Sequence, residues 1–591
     1  MLNGDFGAQY SLGVQMPGLD GTRIAGVATL KHWDAYDLEN SDNFTRHNYN
    51  AIVSPYALAG TYFPAFARSV GRGAGQGGAL GVMCSYNSVN GVPTCASPML
   101  TRVLRDAWGF AGYVSSDSGA LEDIYSQHKY APDALAAVPL ALRDGQCDVC
   151  SGGVYTSSLL PALAAGSVAR EDVDLALAHT LRLRFRMGLF DPPAATPYWS
   201  VPLAAVGTAR AQAANLLAAQ ESLVLLKNDG TLPLARGKAI AVIGPHGNAT
   251  LALVGNYLGQ ICPSNKFECL TSPYDALVAA NTGGSVTYTL GCPINKNDTS
   301  GFAAALAAAA AADVVVLALG IDGSVEGEAH DRVSIDLPPT QHALAAAIAA
   351  VGKPTVAFVL RGGAVDLTAE RDNAAIGAIL DAGYPGFLGG VAIAQTLLGD
   401  NEHLGGKLSV TVYPANYTAA ISESEMELDV GVGRGYRFYT GPVVWPFGFG
   451  LAMTSFELAL AAGPAVATLR TEAAPSTELS YTVQVTNTGA VAGDEVVQAY
   501  FAPVATPAQP KSRLIKQLVG YERVHLAPGA AVNVSFAVDS ATLRLVDRDS
   551  GDTVSTPGSF HIVFTNGAAQ VLPALINVEG DELVVERFPG A

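Results

Sequence analysis

The alternation of short apolar runs with helical stretches between residues 27 and 187 restricts this chain more than any other feature. Strand-length apolar runs separated by helices specify βα units, because a parallel pair of strands needs a crossover long enough to hold a helix. The candidate strands are Val27–His32, Leu80–Asn87, Tyr113–Asp117 and Cys147–Cys150, each followed by a helical stretch. The last of these stretches, Leu159 to Met187, reads as one long amphipathic helix. Polar or ionisable residues close every strand: Lys31 and His32, Tyr86 and Asn87, Asp117, and Asp148. A (β/α)8 barrel places its chemistry at those strand ends. Such a barrel has about eight strands and this region supplies roughly half of them. It is therefore either another parallel fold or part of a barrel.

The remainder divides by pattern. Residues 1–193 carry the βα units and 194–208 form a linker rich in Pro and Ala. Residues 209–415 read as a second α/β domain, opening with a helix from Ala209 to Leu226. Its strands are Ala239–Ile243, Val314–Leu319, Thr355–Leu360 and Ala378–Leu380, alternating with Ala-rich helices at Phe302–Ala312 and Thr340–Val351. That alternation is a doubly wound pattern. Residues 416–453, rich in Gly and aromatics, form an ordered extension. Residues 454–591 alternate apolar and polar positions at Leu479–Asn487, Glu495–Phe501 and Ala531–Val538, separated by Gly, Pro and Asn turns. That spacing predicts a β-sandwich of immunoglobulin or fibronectin type.

Charge narrows the partners. The net charge is −18, so a polyphosphate is repelled and nucleic acid is not the expected ligand. A neutral sugar fits better. No apolar run spans a bilayer, since Asp313 interrupts the longest, Phe302 to Leu319. The first residues lack the basic and apolar regions of a signal peptide. Sequons at Asn43, Asn248, Asn297, Asn416 and Asn533 nevertheless favour a secretory route. So do the close cysteine pairs Cys84/Cys95, Cys147/Cys150 and Cys262/Cys269, read as short-loop disulfides with Cys292 left over. A redox or zinc role for Cys147 and Cys150 is the rival reading, although no second ligand pair completes a zinc set.

Two segments could carry chemistry. Tyr113 to Ala120 is a strand ending in Asp117, followed by a Gly-containing turn. Asp117 either faces a ligand or caps the next helix. Gly320 to Arg332 holds Asp322, Glu326, Glu328 and Asp331 on a Gly-containing loop after a strongly apolar strand. Ligands bind at such strand ends. A solvated acidic loop or a calcium site are the alternatives, and the calcium-loop spacing is absent. Gly244 to Thr250 resembles a dinucleotide loop but lacks its glycine spacing.

Taken together these segments resemble glycoside hydrolase family 3, in its β-xylosidase-like branch, over essentially the whole chain. The resemblance rests on Lys31 to Asn40, on Met83 to Cys95, and on Leu104 to Asp117, which matches the nucleophile segment. Glu221 to Asp229, Glu326 to Arg332, Gly383 to Gly390 and Tyr436 to Pro442 continue it in order. It implies a (β/α)8 barrel, an α/β sandwich and a fibronectin III-like domain. It also implies barrel strands and a signal peptide ahead of Met1, so this chain is expected to be a truncated form with a partial barrel.

The resemblance implies an exo-acting retaining glycosidase, extracellular, with an oligosaccharide substrate and no metal or cofactor. Asp117 would be the nucleophile. The acid/base would be Glu326, or else Glu328. Lys31, His32 and Glu39 would contact the sugar, Lys31 would help keep Asp117 ionised, and Tyr86 would orient it. Ser118, the small residue after the nucleophile, and the segment Asp37 to Glu39 favour xylose, with arabinofuranosides also accepted. A β-glucosidase and a catalytically inactive chain are the competing readings.

Overall fold

Strand β1, Thr29–Trp33, pairs in parallel with β2, Gly81–Cys84, which pairs in parallel with β3, Tyr113–Ser116. The computed structural model describes residues 1–589 apart from 17, 19–20, 42, 72–77, 265, 473–477 and 505–512. The expected fourth strand is reduced to one parallel bridge between Ser115 and Val149. The reason is local. The side chain of Asp148 accepts the Val114 N–H at 2.8 Å and ion-pairs with Arg105 and His179, so the segment is drawn into a polar knot. The long helix expected at 159–187 is two helices, Val154–Ala164 and Arg170–Arg186, separated at Gly166, whose φ of +70° suits glycine. The core beneath these strands is aromatic: Trp33 stacks on Phe63 and meets Trp108 edge-on.

The second domain is a six-stranded sheet. Its strands are β4, Val224–Asn228; β5, Ala239–Ile243; β6, Ser285–Thr289; β7, Val314–Gly320; β8, Thr355–Leu360; and β9, Ile376–Gly383. Their spatial order is β6-β5-β7-β8-β9-β4, with only β4 antiparallel. Every residue of β7 is buried, as expected of a parallel strand covered on both faces. Val314, Val316 and Ala318 pack into one core, and Val315, Leu317 and Leu319 into the other. Strand β4 corrects the expected helix to Leu226, which ends at Ser222. The run Val224-Leu-Leu is buried and closes the sheet edge instead. The edge strand β6 carries a weak exposed pattern and was not expected from the sequence.

Between the domains, residues 193–205 form short 3-10 turns. The third domain packs two sheets. One has β10, Phe456–Ala462, then β12, Leu479–Asn487, then β15, Ala531–Val538. The other contains β11, Val466–Arg470; β13, Gly493–Pro503; β14, Gln517–Leu526; β16, Gly558–Thr565; and β17, Val571–Glu579. Inward residues such as Tyr481, Val483 and Val485 alternate with exposed ones, as in a sandwich.

The stretch between the last two domains returns to the first. Glu427 accepts hydrogen bonds from Ser54 N–H and hydroxyl, Tyr62 donates to Met426 O, and Arg437 donates to Gly60 O. Among the described residues, no helix is long and apolar enough to cross a membrane.

Disulfides join Cys84 to Cys95 and Cys262 to Cys269. The third expected pair is not formed: Cys147, Cys150 and Cys292 are free thiols. Cys147 turns inward, its Sγ 3.8 Å from that of Cys84, while Cys150 stays half-buried. Short spacing in the sequence is therefore overridden by the side to which each thiol points.

Candidate active site

Asp117 follows the last residue of β3, its N–H donating to Cys84 O across the strand mouth. It does not cap the next helix: the N-cap position belongs to Gly119. Its carboxylate turns instead to three donors. The Tyr86 hydroxyl donates to Oδ1 at 2.9 Å, the Ser118 N–H to Oδ1 at 2.7 Å, and His32 Nε2 lies 3.2 Å from Oδ2. Burial acts to raise its pKa, but the hydrogen bonds from His32, Ser118 and Tyr86 outweigh it and hold the carboxyl at about 2. Lys31 is not among these partners. Its ammonium sits 4.6 Å from the centre of the Tyr257 ring, whereas His32 bonds Asp117 directly.

His32 and Lys31 line a cleft of about 950 Å³, whose far wall comes from the second domain. That wall includes Tyr257, Asp322, Glu326, Glu328, Asp331, Arg332 and Tyr384. Its loop is ordered by contacts reaching across the domain boundary. Asp331 Oδ2 accepts the N–H groups of Glu39 and Asn40, and Glu39 Oε2 accepts the Ala329 N–H at 3.0 Å. Glu39 also receives the Tyr36 hydroxyl and Arg46. The acidic residues here each meet separate protein donors, which is not the convergent oxygen cage of a calcium loop.

The two glutamates differ sharply. Glu326 accepts N–H groups from Gly362 and Gly363, the Tyr384 hydroxyl at 3.1 Å, and the Arg332 guanidinium at 3.1 Å. Such a saturated carboxylate is an anchor between β7 and β8. Glu328 is half-exposed and bonds to Arg46 at 2.8 Å. Hydrogen bonds from Arg46, then Tyr257, hold its carboxyl below the usual range. The Arg46 guanidinium lies 4.7 Å from the centre of the Tyr86 ring, so one cation links Glu328 to the tyrosine that holds Asp117.

Of the residues flagged in the sequence, Lys31, His32, Glu39, Glu326 and Glu328 line this cleft, and Tyr86 and Asp117 adjoin it through His32. Asp148 does not; it is buried in the Arg105 and His179 ion pairs. Asn87 is also structural, its amide donating to the carbonyls of Asp34 and Ala35. Arg46, Tyr257 and Tyr384 were not anticipated. Tyr384 lies inside the Gly383–Gly390 segment without having been singled out there, and nothing in the local sequence of Arg46 or Tyr257 distinguishes them from surface residues.

A carboxylate at a parallel strand mouth, faced by an acidic loop from a second α/β domain, is an arrangement that suits a glycoside hydrolase built across two domains. Sequence profiles agree: "Glycosyl hydrolase family 3 N terminal domain" matches residues 8–183, "Glycosyl hydrolase family 3 C-terminal domain" residues 223–453, and "Fibronectin type III-like domain" residues 495–567. The chain is 37% identical to "Probable exo-1,4-beta-xylosidase bxlB" of Aspergillus terreus, over 99% of this chain and 74% of that protein. It is 38% identical to the protein of the same name from Aspergillus fumigatus, over 95% and 73%. Among solved structures, a "GH3 exo-beta-xylosidase (XlnD) in complex with xylobiose aziridine activity based probe" superposes with a TM-score of 0.90 at 32% identity, covering 99% of this chain and 76% of that one. A Listeria innocua β-glucosidase superposes with a TM-score of 0.84 at 24% identity, a likeness of fold. This chain belongs to glycosyl hydrolase family 3.

Proposed function

We propose that this chain is an exo-acting retaining β-xylosidase, with Asp117 as nucleophile and Glu328 as acid/base. A retaining enzyme needs one carboxylate that stays ionised to attack the anomeric carbon and a second that protonates the leaving oxygen. The observation that carries the reading is the carboxylate of Asp117, kept charged by His32, Ser118 N–H and Tyr86 beside the cleft. Attack expels the aglycone and leaves a covalent glycosyl-enzyme, which water then hydrolyses as the acid/base takes back a proton.

Glu328 suits the second role better than Glu326. Glu326 is tied to four donors that fix it in the loop between β7 and β8. Glu328 is accessible and belongs to the Arg46–Tyr86 side of the cleft. A sugar ring in the cleft would strip water from Glu328, and desolvation raises a carboxyl pKa toward what an acid requires. Lys31, His32 and Glu39 line the wall that would receive the sugar hydroxyls.

Xylose as the sugar is supported by the names of the relatives and by Ser118, a small residue beside Asp117. Secretion is supported by the two disulfides and by the exposure of all five sequon asparagines. The test is labelling with a 2-fluoro-xyloside followed by peptide mapping. An adduct on Asp117, with nitrophenyl xyloside cleaved faster than the glucoside, is expected. An adduct elsewhere overturns the nucleophile, and preferred cleavage of the glucoside overturns the sugar.

A further inference from the structure

The interface between the α/β domain and the sandwich holds a cluster that the glycosidase chemistry does not use. Asp494 on β13 and His525 on β14 are directly opposed in the antiparallel ladder, and His525 Nδ1 lies 2.6 Å from Asp494 Oδ1. His403, from the second domain, brings its own Nδ1 to 3.6 Å from the same oxygen. The three ligand atoms lie within 4.8 Å of one another. We propose that His403, Asp494 and His525 form a structural site for a divalent transition metal of the zinc class, clamping the sandwich to the α/β domain.

The donor set is the right one: two imidazoles and a carboxylate are common zinc ligands, with water or another group completing a tetrahedron. Zinc bonds of about 2.0–2.2 Å separate tetrahedral neighbours by roughly 3.4 Å. The His403–Asp494 distance is already close to that, and His525 needs only a small rotation away from Asp494. The remaining carboxylate oxygen is held as ligating carboxylates usually are. Arg523 Nε donates to Asp494 Oδ2 at 2.8 Å, while its terminal nitrogens donate to His403 O and Glu221 O. One guanidinium thus fixes the ligand on one domain and the backbone of the ligand on the other.

Close approach of the two chains is built in. A Cβ at Gly405 would meet Asp494 O at 2.6 Å, so glycine lets the His403 loop lie against β13. Next to it Lys407 pairs with buried Glu495 at 2.7 Å and fixes the same register. Asp494 is buried, but the two histidine side chains are 36% and 42% exposed, which leaves a path for an ion from solvent. The other cysteine–histidine–carboxylate grouping among the described residues, Cys84, Cys95 and Cys147, offers no such site because two of its sulfurs are joined in a disulfide.

The experiment is calorimetric titration of the chelator-stripped full chain with zinc chloride at about pH 7.5, where an imidazole is largely neutral. Thermal unfolding with and without the ion accompanies it. Stoichiometric binding and a rise in Tm that chelator reverses are expected. His403→Gln and His525→Gln each weaken binding by at least about tenfold, while His561→Gln on an exposed strand face leaves it unchanged. Both histidines are partly exposed, so these variants fold. Failure of the parent to bind, or parental affinity in either the His403 or the His525 variant, overturns the proposal. Neither result depends on the glycosidase assignment.

Discussion

The Asp331 carboxylate accepts the backbone N–H of Glu39 at 2.7 Å, and that of Asn40 with the same oxygen. A side chain of the second domain therefore holds the loop that follows β1 of the first. Asp331→Ala removes two charge-assisted hydrogen bonds, each worth about 1.5–3 kcal/mol in a protected setting and less at this partly exposed one. The expected outcome is a drop in kcat/KM larger than the loss of thermal stability suggests, because the loop bearing Glu328 is released. Parallel measurement of Tm and kcat/KM checks this. Equal kcat/KM in variant and parent would remove Asp331 from the assembly of the site.

Glu326 and Glu328 separate stability from chemistry. Glu326→Gln cannot reproduce the charge that Arg332 and the Gly362 and Gly363 N–H groups meet, so Tm falls. Glu328→Gln leaves folding nearly intact and lowers kcat/KM on unactivated xylosides by about 10²–10⁴-fold, the usual share of a general acid. Activated leaving groups and added azide should recover the second variant and not the first. The reverse pattern would return the acid/base role to Glu326.

Tyr86→Phe removes one of the donors that hold Asp117 at about 2. Its pKa then moves up toward the ordinary value of about 3.9. A nucleophile must be ionised, so the acid limb of the kcat/KM profile shifts to higher pH in the variant. The sign for stability is the same. Asp117 has a depressed folded-state pKa, so its contribution is present above about pH 4 and is lost as pH falls toward 2. A pH–rate profile of parent and variant between those limits measures it; coincident acid limbs would dissociate Tyr86 from the ionisation of Asp117.

Thiol titration of the denatured, unreduced chain is expected to find the thiols of Cys147, Cys150 and Cys292 free. A single thiol would mean that Cys147 and Cys150 are bridged after all. Replacing Cys84 and Cys95 together should cost about 2–4 kcal/mol, since that bridge ties β2 to the turn below Tyr86. Denaturant melts of the double variant measure it.

Much of the architecture was legible in the chain because its signals are local. A short, Val-rich apolar run such as Val314–Leu319 fits a covered strand, and the period-two pattern of Leu479–Asn487 a half-covered one. Asp117, the Lys31–His32 pair and the acidic loop were visible for the same reason: each sits where a strand ends. The sequence by itself determined the three domain types, the family and the carboxylates available to the reaction.

Which partners each carboxylate meets was decided by tertiary structure. Glu326 and Glu328 are two positions apart on one loop, yet one meets Gly362, Gly363 and Arg332 while the other meets Arg46. Arg46 lies 282 positions from Glu328 and no local pattern pairs them. Cys147 and Cys150 were likewise separated by the direction of their side chains, and β4 was made a strand by the open edge beside β9. Hydrogen bonds, charge and burial act through space, so a chain discloses its elements and its reactive groups before folding, but only the fold assigns partners to them.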